Sequence, residues 1–358
     1  MAVVTIVCWS ISAVAILGLV FWILAGTTVI SGNGWSWSRN IGIGWESLTG
    51  PYEVEGIHFV KTDGLDSMRI DWVAGEVTVN PYDGADIQIT ELAQRALLDD
   101  ERLQFNISGS MLTVEYQNQS INLRRMPQKK LEVLVPQALA ESFDRLTVGS
   151  TSGRIHVSDI NAATLGTSSV SGAAELSNIT AQSLEVRTTS GTIMIDSVYA
   201  DGIKIGSVSG TIRASNSGAN ILDCSTTSGT HNLSGSFYSA NLSSVSGRIM
   251  LENSVSGADV KANSTSGSID LSGYYNSADL GSTSGRVSIS SGVVPSMLKT
   301  RTTSGSISVT VPNEGVISIN HSSTSGKLTS DIPITMQNSG AQFNLSTVSG
   351  SVRILVYE

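Results

Sequence analysis

Apolar and polar residues alternate with period two along most of this chain, in short runs whose phase breaks at regular intervals. Leu184 and Val186 alternate with Glu185 and Arg187, the pattern of a half-buried strand. Ile193 and Ile195 then alternate with Thr192 and Met194, one phase out of step. The phase breaks at Ser190-Gly191, so the chain turns there. The same register fits Val148/Ile155/Val157, Ile205/Ile212, Leu280/Val287/Ile289 and Leu345/Val352/Ile354. A second, looser turn follows each pair of strands, with an apolar residue near its start at Ile160, Ile179, Val198, Val255 and Val293.

Each phase break carries one phrase: Ser or Thr, then Thr or Val, then Ser-Gly. It occurs eleven times, ending at Gly153, Gly172, Gly191, Gly210, Gly229, Gly247, Gly267, Gly285, Gly305, Gly326 and Gly350. A fixed period near 20 residues is the mark of stacked units that cannot bury their faces alone. The predicted fold is all-β: a parallel β-solenoid of about eleven to twelve coils, with Ser-Gly turns whose glycines supply positive φ. Eleven coils at about 4.8 Å would give a stack roughly 50 Å long. An antiparallel β-meander of Ser-Gly hairpins is the alternative, since it also places offsets −3 and +2 on one face. Asn-Gly and Asp-Gly are absent from all eleven turns, and a stacked Ser/Thr ladder accounts for the constancy of the phrase, so the solenoid is favoured.

The pattern divides the chain into four parts. Residues 1–25 hold the apolar run Val3 to Leu24, long enough to span a bilayer and without a basic start or a small-x-small cleavage site. This predicts a retained single-pass transmembrane anchor at the cell membrane. Residues 26–50 form a Gly/Ser/Trp-rich linker, in which Trp35, Trp37 and Trp45 suit a membrane interface. Residues 51–147 read as an N-terminal cap with a degenerate first coil. There Met68, Ile70 and Trp72 precede Gly75, and Trp72, standing where the repeats place Ser or Thr, is expected to plug the end of the stack. A short helix is expected over 90–103, and strands over 112–116 and 131–135. Residues 148–358 are the repeats, ending in the strand Ser351 to Tyr357, which no helix follows to cover that edge.

Ile70-Asp-Trp72-Val-Ala-Gly75-Glu-Val77, Leu131-Glu-Val-Leu-Val-Pro136 and the repeated Thr/Val-Ser-Gly-x-Ile turns resemble a bacterial family of β-strand-repeat proteins, known only as candidate adhesins or as a domain of unknown function. The resemblance covers roughly 51–358. It implies a membrane-anchored envelope protein, in some members a component of envelope-stress systems, and it carries no catalytic residues. With the Lys-poor, Ser/Thr/Asn/Gly-rich composition, it implies that residues 26–358 lie outside the cytoplasm.

The chain's 358 residues carry a net charge of −9 with no long basic tract, which argues against a nucleic-acid partner. Cys8 and Cys224 lie in different settings and form no disulfide framework. His58, His156, His231 and His321 are spread along the chain, His231 and His321 at inward positions, so no metal site is expected and no cofactor is implied. The scattered acids Glu175, Asp196, Asp223, Glu252 and Asp270 make no recurring pair, which points away from polysaccharide-cleaving solenoids and from an enzyme. Two surfaces stand out as binding candidates. Aromatics recur at the second turn of alternate coils, with Tyr199, Tyr238 and Tyr275 expected to point outward as a stripe for a glycan, wall polymer or membrane protein. Arg124, Arg125, Lys129 and Lys130 form a basic cluster suited to anionic headgroups or an anionic wall polymer. The expected function is a non-enzymatic, adhesin-like surface protein. The alternatives are an accessory or regulatory subunit of an envelope-stress system, or a scaffold that self-associates end to end.

Overall fold

A computed structural model describes residues 51–116, 127–333 and 340–357. The expected anchor and linker, and Arg124 and Arg125, lie outside the described residues. Among those described, no helix is long and apolar enough to cross a membrane. The fold is an all-β parallel solenoid. Long strands such as Ala174–Thr188 pair in parallel with the equivalent strands before and after them, Ile155–Ser169 and Ile193–Ser207. Parallel pairing of whole repeats overturns the hairpin meander.

Each coil has three sides. In Ala174–Thr188 the inward residues are Ala174 and Leu176, then Ile179 and Ala181, then Leu184, Val186 and Thr188. They step by two within a side and by three across a corner. The first of these corners holds a non-glycine residue in the left-handed region: Asp159 (φ 57°), Asn178 (53°), Ser197 (55°) and Asn216 (49°) stack in successive coils. Asp and Asn tolerate this conformation better than other side chains, and Asn178 donates to Asp159 Oδ1 at 3.0 Å along the stack.

The Ser-Gly corner works differently from the sequence expectation. None of its eleven glycines has positive φ. A Cβ on any of them would lie 1.5–2.0 Å from the carbonyl oxygen of the glycine stacked against it. Glycine is required here by close backbone approach. The first residue of the phrase points inward and caps the bend: the Gly172 N–H donates to Ser169 Oγ at 2.8 Å, and the Gly285 N–H to Ser282 Oγ at 2.8 Å. At Thr188 and Thr226 the hydroxyl instead donates to the glycine carbonyl at 2.8 Å.

About nine turns wind in chain order, with corners from Gly153 to Gly305, fewer than the eleven to twelve expected. The difference arises because both ends are interleaved. Ser67–Trp72 lies between Met111–Glu115 and Phe143–Ser150, and Val77–Tyr82 lies between Lys129–Pro136 and the start of Ile155–Ser169. Trp72 is therefore an interior residue, in register with Ser150, and does not plug the end. The 90–103 stretch is not a helix: Asp86–Ala93 is a strand, antiparallel to Glu53–Lys61 and to Lys129–Pro136, and turns follow it. At the other end Val352–Val356 is sandwiched between Ile307–Val311 and Leu328–Ser330. The C-terminal strand is thus not the open edge. Among the described residues the last layer is Ile317–Ser323 with Leu328–Ser330.

Candidate functional site

The third side of the coils carries the most developed surface. Its inward positions, among them Ile205, Cys224, Leu242 and Ala262, are buried and fix the side chains between them outward. One outward column runs Lys204, Asp223, Asn241, Lys261, and the next runs Gly206, Ser225, Ser243, Asn263. Because the second column is mostly small, the surface dips. The depression has a volume of about 280 Å³ and is lined by Lys204, Asp223, Asn241 and Lys261 of the first column and by Ser225, Ser243 and Asn263 of the second. Asn241 Nδ2 donates to Asp223 Oδ1 at 2.9 Å. Beyond the depression Arg301 pairs with Asp279 at 3.4 Å, and Arg187 pairs with Glu185.

Tyr238 is 58% exposed and stands just before Ser239, on the coil that supplies Asn241 and Ser243. Tyr199 is 54% exposed, and its ring overlies Gly218 of the next coil, where a Cβ would lie 3.1 Å from it. Tyr275 does not point outward. It is fully buried, donates its hydroxyl to Ser272 O at 2.7 Å, and has its pKa raised by burial. The outward member of that pair is Tyr274, 46% exposed. The register slips twice between Asn253 and Ala258, so that Ser256 faces Tyr274 and inward Ala258 faces Tyr275. In the preceding aromatic pair Phe237 is the buried member. Tyr199, Tyr238 and Tyr274 lie on alternate coils but not in one column: Tyr199 stands before inward-packed Ala200 and in register, through Gly218, with Ser236, Tyr274 stands before buried Tyr275, and Tyr238 follows buried Phe237. Tyr238 thereby approaches the corner that carries Asp–Asn links such as Asn220 to Asp201 and Asn276 to Asp259, both 3.0 Å.

Of the basic cluster, only Lys129 and Lys130 are among the described residues, and Lys129 does not lie on the surface. Lys129 is fully buried, its Nζ 2.8 Å from Glu91 Oε1, donating to Glu101 O at 2.6 Å and lying 3.9 Å from the Tyr116 ring centroid. Trp72 completes the cage, donating its indole N–H to Lys129 O at 3.1 Å. Burial pulls the Lys129 pKa down, against the pull of Glu91. Lys130 pairs with Glu76 at 3.0 Å and lies over the Tyr52 ring.

The histidines stay apart. His231 is buried in a column of isoleucines with its Nδ1 unpartnered, His321 is half-buried, and His58 packs on Phe105. Burial raises the Cys224 thiol pKa, which leaves the thiol protonated and unreactive. Among the described residues no group of three or more His, Cys, Asp or Glu is arranged to hold a metal ion. Sequence reasoning missed Lys204, Asn241, Lys261 and Asn263 as neighbours. The available signal was the small residue four places before most corner glycines, such as Gly206 and Ser225.

A family model described as Toastrack DUF4097 matches residues 65–273 and 219–355. No curated protein matches the chain. Similar solved structures include a candidate adhesin from Parabacteroides distasonis at 12% identity and TM-score 0.49, covering 67% of this chain and 97% of that one. Another is a candidate adhesin from Parabacteroides merdae at 13% identity and TM-score 0.46, covering 65% and 95%. A candidate lipid-binding protein from Parabacteroides distasonis is 14% identical at TM-score 0.39, covering 84% and 96%.

Proposed function

The chain belongs to the Toastrack DUF4097 family, and from that premise we propose that it is a non-enzymatic, membrane-anchored envelope protein whose solenoid binds carbohydrate. The observation that carries this reading is the set of three exposed rings on alternate coils, Tyr199, Tyr238 and Tyr274, on coils whose next side holds a shallow depression lined by Asn241, Ser225 and Ser243 among others. A tyrosine ring offers a sugar a large apolar contact at low entropic cost, while Asn and Ser offer donors and acceptors at its rim. Among the described residues the thiol is buried and no two histidines meet, which favours binding over chemistry. The uncharged run Val3 to Leu24 supports a single-pass anchor, with the repeats on the extracytoplasmic side.

The test compares the full chain, in detergent, with the Tyr199→Ser/Tyr238→Ser/Tyr274→Ser variant on an array of neutral and acidic glycans. The proposal expects lost binding at an unchanged melting temperature. Retained binding, or a fall of many degrees in melting temperature, would count against it. A scaffold role has one specific support: among the described residues Leu328–Ser330 pairs with Val352–Val356 alone. Concentration-dependent polymers in light scattering would favour it, and a monomer at all concentrations would remove it.

A further inference from the structure

We infer that the third side recognises a linear anionic polymer running along the solenoid axis, held by Lys204, Lys261 and Lys299. The inference rests on the binding-face reading above and names the class of ligand.

These lysines share one outward column, in the order Lys204, Asp223, Asn241, Lys261, Asp279, Lys299 through successive pairings. Lys204 and Lys261 are three coils apart and Lys261 and Lys299 two, about 14 and 10 Å. Among the described residues none of the three makes an ion pair or a side-chain hydrogen bond.

The acids on this side are already engaged within the protein. Asp223 accepts from Asn241 at 2.9 Å, and Asp279 pairs with Arg301 at 3.4 Å. Asp259 accepts from Asn276 and Ser277 at 3.0 and 2.6 Å, and Glu185 pairs with Arg187. Arg301 and Arg187 offset Asp279 and Glu185, whereas the amide and hydroxyl partners of Asp223 and Asp259 orient those carboxylates without neutralising them, so three lysines face two acids and this side stays net cationic on a chain of net charge −9.

The shape agrees with the charge. The small residues Ser225 and Ser243 beside the column leave a depression that reaches from Lys204 to Lys261, so a chain lying there passes both in turn. The coils hold these cations at whole multiples of one strand separation, which suits an extended ligand with many anions, because several weak contacts made at once add up without new ordering cost. Each exposed ammonium alone is worth little in water. Three in a row are worth having only against a polymer.

The experiment measures binding of the full chain to alginate, poly(glycerol phosphate) and neutral dextran, at low and high salt. Lys204→Gln/Lys261→Gln/Lys299→Gln is compared with the unaltered chain. The inference expects one or both anionic polymers to bind more tightly than dextran. It expects that binding to weaken about tenfold in the variant and in high salt, which screens exposed charge, while the melting temperature holds. The arm that binds identifies carboxylate or phosphodiester as the anion. Equal affinity for all three polymers, or an anionic affinity untouched by the substitutions, would overturn the inference and leave the binding face standing. Failure to bind any polymer would overturn the binding-face reading itself.

Discussion

The substitution His231→Ile is expected to make the protein more stable in acid by removing the histidine's share of the pH dependence between about 6.5 and 4. His231 stands where the neighbouring coils place Ile212 and Ile249, and all three are fully buried. Its Nε2 lies 2.9 Å from Thr226 Oγ1, while Nδ1 has no partner. Burial pulls its pKa from 6.5 to about 4. Below pH 6.5 the unfolded chain therefore takes up a proton that the folded chain refuses until about pH 4. The unfolded state binds more protons throughout that window, so stability falls as pH falls, by up to about 1.4 kcal/mol per unit and about 3 kcal/mol in all. An isoleucine side chain at this position has no proton to bind. The substitution also removes an unsatisfied buried nitrogen, worth roughly 1–3 kcal/mol at neutral pH, and Thr226 keeps its bond to Gly229 O at 2.8 Å. Urea unfolding of both chains at pH 7, 5.5 and 4.5 reads the difference, with titrating carboxylates common to both. A variant that loses stability with acid as steeply as the parent would refute the reasoning.

Gly210→Ala should cost about 4 kcal/mol or more, because its Cβ would lie 1.8 Å from Gly191 O. Gly202→Ala, with nothing within 4 Å, should stay within about 0.5 kcal/mol in the same denaturant assay. Tyr275→Ser should cost roughly 3–5 kcal/mol as a buried ring is lost, whereas Tyr274→Ser should leave the calorimetric melting temperature nearly unmoved. Lys129→Met should cost about 3–5 kcal/mol by stranding Glu91 without its cation. The double variant Lys129→Met/Glu91→Leu should recover much of that loss, and a double variant no more stable than the single one would show that the pair is not the cause.

The inward set of the repeats could be read directly: Val148, Ile155, Val186, Ile193 and Leu280 all occupy core positions, and Trp72 does pair with Ser150. Side-chain period and coil length are local properties, and the chain states them over and over. The order of the terminal coils is not local. Every coil offers the same parallel edge, so nothing in the period distinguishes Gly305 followed by Gly326 from the observed stacking of Gly350 between them. The reason for the corner glycines was hidden in the same way, since the atom that excludes a side chain belongs to the adjacent coil. Lys129 looked like a surface charge beside Lys130 because its partner Glu91 is 38 positions away on an antiparallel strand. Tyr275 was misjudged through slips of register in its neighbour, Ile249–Ser264, that alternate-coil spacing cannot register.

Hydroxyl-radical footprinting of the full chain, with and without alginate and dextran oligomers, tests the binding face most directly. Tyr199, Tyr238, Tyr274 and Tyr357 are comparably exposed, at 54, 58, 46 and 49%, so each oxidises in the free protein and Tyr357 serves as the internal reference. The account predicts that a bound oligomer shields Tyr199, Tyr238 and Tyr274 while Tyr357 oxidises as before. Equal oxidation of all four rings with oligomer present, or shielding confined to other parts of the chain, would contradict it.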